Sequence, residues 1–270
     1  MNTLHNINIR GSLRHGTRQR GFTLVELMVT VAIAMFLLGG LVTILQNVRK
    51  ANVNQQALAQ LQDQQRFAMT VISDMIQQGG YYPSMTVGGP TNLVPATALG
   101  AAGPIVPGQA FYSVPLANPA TLTVRFMTAG NDGVIMCDGS TNIVAGSQTL
   151  ETNVFTVVPP APPVPGQLLC SLNGGAQVAL ANGVTNLQVY YGVNRANPLL
   201  NYNVDTYLTA DQMNAGLPNG GDWMNISSVR VVLTFTNPLY DPSSPVSPGN
   251  PQTITFERVV MVMGRAGVHS

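Results

Sequence analysis

Only 9% of the 270 residues are charged, against about 25% in an ordinary soluble protein, and the formal net charge is +1. The 27 glycines and 19 prolines call for many turns and loops. Arg10, Arg14, Arg18 and Arg20 place +4 ahead of Phe22, and the rest of the chain carries 8 basic and 11 acidic residues, a mildly acidic body without the clustered Lys and Arg that nucleic acid requires.

From Phe22 to Leu45 run 24 residues in which Glu26 is the only charge. At ~1.5 Å per residue a helix of that length reaches about 36 Å, enough for a ~30 Å hydrocarbon core. The arginines ahead of it fix the N-terminal side in the cytoplasm. The run is too long for the apolar part of a secretory signal peptide, and "QNVRKANVNQQALAQLQ" after Leu45 offers no small-residue cleavage site. A plain signal anchor fits the length but leaves Glu26 unexplained, since a carboxylate near mid-membrane costs roughly 2.5–3.5 kcal/mol.

"RGFTLVELMVTVAIAMFLLGGL" resembles the class III leader of type IV pilins: a basic stretch, Gly, Phe, an apolar segment, Glu, and a long apolar continuation. The resemblance implies cleavage by a prepilin peptidase between Gly21 and Phe22. It also implies methylation of the new Phe22 amine by the same enzyme, with S-adenosylmethionine as that enzyme's co-substrate. Gly21 suits such a junction, because without a Cβ the backbone can approach a protease closely. The freed amine is a cation that can neutralise Glu26 of a neighbouring subunit, which makes Glu26 an assembly contact.

The helix is expected to continue to about Gln78. Leu58, Leu61, Gln65, Ala68, Ile72 and Met75 recur at spacings of three and four, whereas Gln62, Asp63, Arg66 and Asp74 lie off that face. The stripe reads as packing on the protein's own sheet. Gly79-Gly80 supplies a C-cap and Pro83 prevents resumption. Residues 83–119 hold seven prolines and read as a long surface loop.

Strands are expected at 122–127, 133–137, 149–158, 168–172, 176–181, 184–193, 228–237 and 253–263, several alternating apolar and polar residues. "VPPAPPVPG" and "PLYDPSSPVSPGNP" are connections that a sheet interior cannot hold. "YLTADQMNAG" reads as a short helix capped by Thr209, with Trp223 near the core. The fold class is α+β: a long N-terminal helix packed on an antiparallel sheet, the pilin arrangement. Its parts are a cleaved cytoplasmic leader (1–21), a transmembrane helix (22–45), a periplasmic helix (46–79) and a β-rich head (80–270).

"RFAMTVISDMIQQGGYY", "LTVRFMTAGNDGVIMCDGS", "GVTNLQVYYGV" and "WMNISSVRVVLTF" are similar to segments of PilW-like minor pilins. This resemblance implies a non-enzymatic subunit of type IV pilus assembly in a tip complex. The implied partners are prepilin peptidase, other minor pilins, the major pilin, the inner-membrane assembly platform and a tip adhesin. It implies an inner-membrane protein with a periplasmic head that later enters the pilus. A J-type pseudopilin of type II secretion shares leader, helix and sheet; a membrane-anchored periplasmic enzyme or binding module is the rival of another class.

The chemistry available is sparse. His5, His15 and His269 give neither a His-based triad nor a His-rich zinc site, so no catalytic residue, metal or cofactor is assigned. Cys137 and Cys170 read first as a disulfide in an oxidising compartment, with two buried thiols as the alternative. Asn131, Asp132 and Asp138 read first as turn residues, with calcium as the alternative. Asn225-Ile226-Ser227 matches a glycosylation acceptor, a weak signal here. Tyr81-Tyr82 and Tyr190-Tyr191 fit an interface or a core equally.

Overall fold

The computed structural model describes residues 21–83, 94–95, 97–98, 104–195, 203–215, 221–244 and 246–263. The basic stretch ahead of Gly21, the three histidines and much of the proline-rich segment after Pro83 lie outside them. Two compact units divide the chain, one ending at Val53 and the other starting at Asn54.

Helix α1 runs Leu24–Gln78. It starts at Thr23, whose carbonyl accepts the first helical bond from Leu27 N at 3.1 Å and whose Oγ1 accepts from Glu26 N at 3.3 Å. Thr as N-cap with Glu three residues on is a capping-box sequence. No proline interrupts the helix. It passes through Gly39-Gly40 unbroken, and Thr43 Oγ1 donates to Gly39 O at 3.0 Å there.

The helix ends where two glycines meet two different demands. Gly80 has φ +77°, a left-handed conformation that disfavours side chains. At Gly79 a Cβ would sit 2.3 Å from the ring of Phe111, so the position has no room for one. Gly80 N then donates to Arg125 O at 2.9 Å, tying the helix end to the sheet.

In the second unit the helix buries Leu61, Ala68, Met69, Ile72, Ser73, Met75 and Ile76. The expected face is therefore present but wider than a single stripe, with Leu58 and Gln65 only half-buried at its start. Gln62, Asp63, Arg66 and Asp74 are exposed. Two polar ties supplement the packing: Asn182 N donates to Gln64 Oε1 at 3.1 Å, and Arg258 Nη1 donates to Ser73 Oγ at 3.2 Å.

The head holds antiparallel sheets, two large ones rather than the one expected. Strands β1 (Thr97–Ala98) and β2 (Pro104–Ile105) form a small ribbon. Strands β3 (Phe111–Tyr112), β4 (Leu122–Ala129), β5 (Gln148–Val158), β6 (Gln167–Leu172) and β7 (Gln177–Asn182) form a sheet in sequential order. Strands β8 (Val184–Val193), β9 (Thr206–Leu208), β10 (Ser228–Thr236) and β11 (Thr253–Met261) form the other, in the order β11-β10-β8-β9. Leu122, Phe126 and Phe155 of the first sheet share one core with Leu187, Tyr191, Val231 and Leu233 of the second and with Ala68, Ile72 and Ile76 of α1.

Two sequence expectations need correction. Residues 133–137 form no strand; only an isolated bridge joins Ile135 to Thr141. Gly133 (φ 78°) and Gly139 (φ 85°) turn the chain on both sides of this short run, leaving no length for a ladder. The segment 83–119 is not all surface loop either. Ile105 and Gln109–Ser113 are buried, because Arg125 reaches into that stretch from β4.

Helix α2 (Ala210–Ala215) carries a reciprocal cap: Gln212 N donates to Thr209 Oγ1 at 3.4 Å and Thr209 N to Gln212 Oε1 at 2.9 Å. One turn of 3-10 helix, Gly221–Met224, then buries Trp223. Its Nε1 donates to Asn214 Oδ1 at 2.9 Å, and its ring lies 4.8 Å from that of Tyr191 and 5.6 Å from that of Tyr112.

Burial raises the ionisation of Tyr191 well above its ordinary value of 10.0, with the bond from Ser113 opposing the rise and Tyr112 adding to it. The folded chain therefore holds this proton at a pH where the unfolded chain has lost it. The stabilisation is complete below pH 10 and is lost as the pH climbs above it. Tyr191→Phe should accordingly gain stability relative to the unchanged protein between pH 9 and pH 11. Urea melts at the two pH values check this, and a difference that stays constant would contradict it.

Candidate functional site

The N-terminal unit presents its functional residues on one helix start. Phe22 is 80% exposed and precedes the Thr23 cap, and Glu26 sits in the first turn. An acid there complements the helix dipole. Beyond it the apolar side chains from Leu24 to Leu45 are exposed all round. This helix is long and apolar enough to cross a membrane. Such an unbroken apolar surface needs lipid or other helices to cover it.

In the head, Cys137 and Cys170 are bridged, with Cα atoms 6.3 Å apart and a sequence separation of 33. The bridge joins the turn after β4 to β6, passing over β5, where Phe155 pairs with Cys170. A loop of this size stabilises by about 2–4 kcal/mol through restriction of the unfolded chain. Asn153 supports it, accepting at Oδ1 from Cys137 N at 3.0 Å.

The acidic residues considered for calcium are occupied locally. Asp132 Oδ2 accepts from Ala129 N at 2.7 Å and Oδ1 from Val134 N at 3.0 Å. Asp138 Oδ1 accepts from the backbone and hydroxyl of Ser140. Asn131 takes φ 66° in the same turn. These are turn-forming contacts. Among the described residues no group of three His, Cys, Asp or Glu converges.

The tyrosine pairs divide between core and surface. Tyr191 is core, while Tyr190 lies beneath the Arg230 guanidinium at 4.2 Å, a cation–π contact. Tyr81 is partly exposed, and Tyr82 donates to Gln148 Oε1 at 3.2 Å. Ile226 and Ser227 of the glycosylation pattern are buried.

Residues 16–42 match the prokaryotic N-terminal methylation motif, and residues 167–263 match the type IV pilus-assembly protein W family, PilW. The chain thus resembles PilW from β6 to past β11 and carries the methylation motif at its start. No curated protein matches it. Gly21, Phe22 and Glu26 all fall within the methylation-motif match. The PilW match begins at β6 and ends beyond β11, so it contains Cys170 but neither Cys137 nor Arg125. The similar segments quoted before residue 167 lie outside it, in α1 and around β4.

Sequence reasoning passed over two features of this PilW-like chain. The Thr23 cap was legible as Thr-x-x-Glu ahead of an apolar run. The role of Arg125 was not, because nothing in "LTVRFM" distinguishes a buried arginine from a solvated one.

Proposed function

We propose that the chain is a minor pilin that takes part in initiating type IV pilus assembly within a tip complex. Its leader is cut between Gly21 and Phe22 by a prepilin peptidase, which then methylates Phe22 with S-adenosylmethionine. Residues 22–45 span the inner membrane, and the head faces the periplasm, where an oxidising environment keeps the bridge between Cys137 and Cys170. Glu26 receives the amine of a neighbouring subunit's first residue. The role is structural and is exercised through surfaces offered to other minor pilins, the major pilin, the assembly platform and a tip adhesin.

The observation that carries this reading is Glu26 on a capped helix start, the only charge in an otherwise exposed apolar surface. A carboxylate in that setting gains stability chiefly from a cation brought to it. The match to the PilW family supports the pilus reading over that of a secretion pseudopilin.

Gly21→Val tests the processing step. Gly21 has open space around it, so the substitution leaves the fold undisturbed and obstructs only an enzyme that must approach the backbone. The variant should accumulate in membranes with its leader attached, larger than the mature form on an immunoblot. Cleavage at the unaltered rate would contradict the proposal.

A further inference from the structure

We propose that the head binds a single neutral sugar ring in a small polar pocket, a property that goes beyond the pilin reading above and does not rest on it. The pocket has a volume of about 240 Å³ and lies between the chain that follows β3, strand β8 and helix α2. Asn118, Gln188, Tyr190 and Asp211 line it, together with Leu116, which is 87% exposed.

Two polar groups of the lining are already engaged. Ser113 Oγ donates to Thr121 O and meets the Tyr191 hydroxyl at 2.5 Å, and Thr209 Oγ1 accepts from Gln212 N. The others are uncommitted. Asp211 Oδ1 accepts from Leu116 N at 2.5 Å, which fixes the carboxylate and leaves Oδ2 available. Among the described residues no hydrogen bond uses the side-chain amides of Asn118 and Gln188 or the hydroxyl of Tyr190. Asn118 and Gln188 are exposed, and Tyr190 and Asp211 are half-buried. The Tyr190 ring is also held in place, because the Arg230 guanidinium lies 4.2 Å from its centroid and is itself tied to Glu257 at 3.8 Å.

This set of groups suits a polyol. A carboxylate oxygen accepts from one sugar hydroxyl, while side-chain amides both donate and accept, so adjacent hydroxyls can each be satisfied. The electron-rich face of an aromatic ring attracts the C–H groups of a pyranose. The lining has one carboxylate and no basic residue, so phosphates and carboxylates are repelled. Its volume lies below the ~300–1,000 Å³ of pockets for drug-sized ligands, which limits the occupant to one ring.

Saturation-transfer NMR on the full-length chain in a sugar-free detergent tests the inference. The probes are the methyl glycosides of glucose, galactose, mannose and N-acetylglucosamine. At least one should bind with a Kd of about 1–10 mM, the range open to one small ring with few contacts. Asp211→Asn keeps an acceptor for Leu116 N but removes the charge, and should weaken that binding about tenfold. Tyr190→Ala should weaken it at least as much. Gln188 is exposed and makes no bond within the described residues, so Gln188→Ala leaves the fold undisturbed and should weaken binding about threefold. Tyr240→Ala, at a half-buried tyrosine outside the pocket, should leave it unchanged. Absence of binding by all four glycosides at about 50 mM overturns the inference, as does binding that Asp211→Asn and Gln188→Ala leave unaltered. Arginine methyl ester is the fifth probe. If it binds where the glycosides do not, the pocket takes a cationic side chain of a protein partner and the sugar assignment falls.

Discussion

Glu26→Gln should leave α1 intact and cut incorporation of the protein into pili at least tenfold. The glutamine is isosteric and serves a capping box as well as glutamate does, so the start at Thr23 should survive. What it lacks is a charge to neutralise an ammonium group in a medium of low dielectric. The cost of placing an acid at the centre of a span, roughly 2.5–3.5 kcal/mol, indicates how much a cationic partner can return. Glu26→Gln and Glu26→Val should both insert into the membrane at least as well as the unchanged chain. Cleavage after Gly21 should persist in both. The protein should then accumulate in the inner membrane while pili become fewer. Counting surface pili and fractionating membranes checks this. Normal assembly of the Gln variant alone would assign Glu26 to helix capping, and normal assembly of both would remove it from the assembly account.

Arg125→Met should destabilise the head by about 3 kcal/mol. The guanidinium is fully buried, donating from Nη1 to Gln109 O at 3.0 Å and from Nη2 to Pro95 O. Its backbone joins the same region, receiving Gly80 N and donating to Ala110 O. Two opposing terms decide the size of the effect. Burial disfavours the charge and pushes the group down to about 10 from 12.5, a penalty that methionine would relieve. Against that, methionine strands two carbonyls whose charge-assisted bonds are worth roughly 1.5–3 kcal/mol each. It also frees the stretch before β3 from the sheet, and this second term should win. Arg125→Lys should fall between, because a single ammonium cannot span both carbonyls as the planar fork does. Urea unfolding of the purified, detergent-solubilised chain reads the difference; a loss under about 0.5 kcal/mol for Met would show that the bonds to Gln109 and Pro95 contribute little.

The parts of the fold legible in the sequence are those with a local cause. Helix α1 follows from proline-free, 3.6-periodic sequence with Thr23 at one end and Gly79-Gly80 at the other. Strands β4 to β8, β10 and β11 follow from alternation bounded by turn residues, and the Thr209 cap from Thr-x-x-Gln. What stayed hidden depends on long-range packing. Ile135 and Met136 are apolar enough for a strand, yet the paired turns at Gly133 and Gly139 prevent one. Composition could not show that Gln109–Ser113 enters the core, since the buried Arg125 that organises it comes from a distant strand. The division into two sheets turns on β8 pairing with β10 instead of β7, which alternation alone does not specify. The candidate site is the opposite case. Gly21, Phe22 and Glu26 lie within six residues of each other, so the sequence displays the whole constellation.

The account stands most directly on the N terminus of the mature protein. Intact-mass and N-terminal peptide analysis of the chain extracted from membranes of cells with an active prepilin peptidase should give a protein starting at N-methylated Phe22. A chain that retains residues 1–21 with an unmodified Phe22 would contradict it.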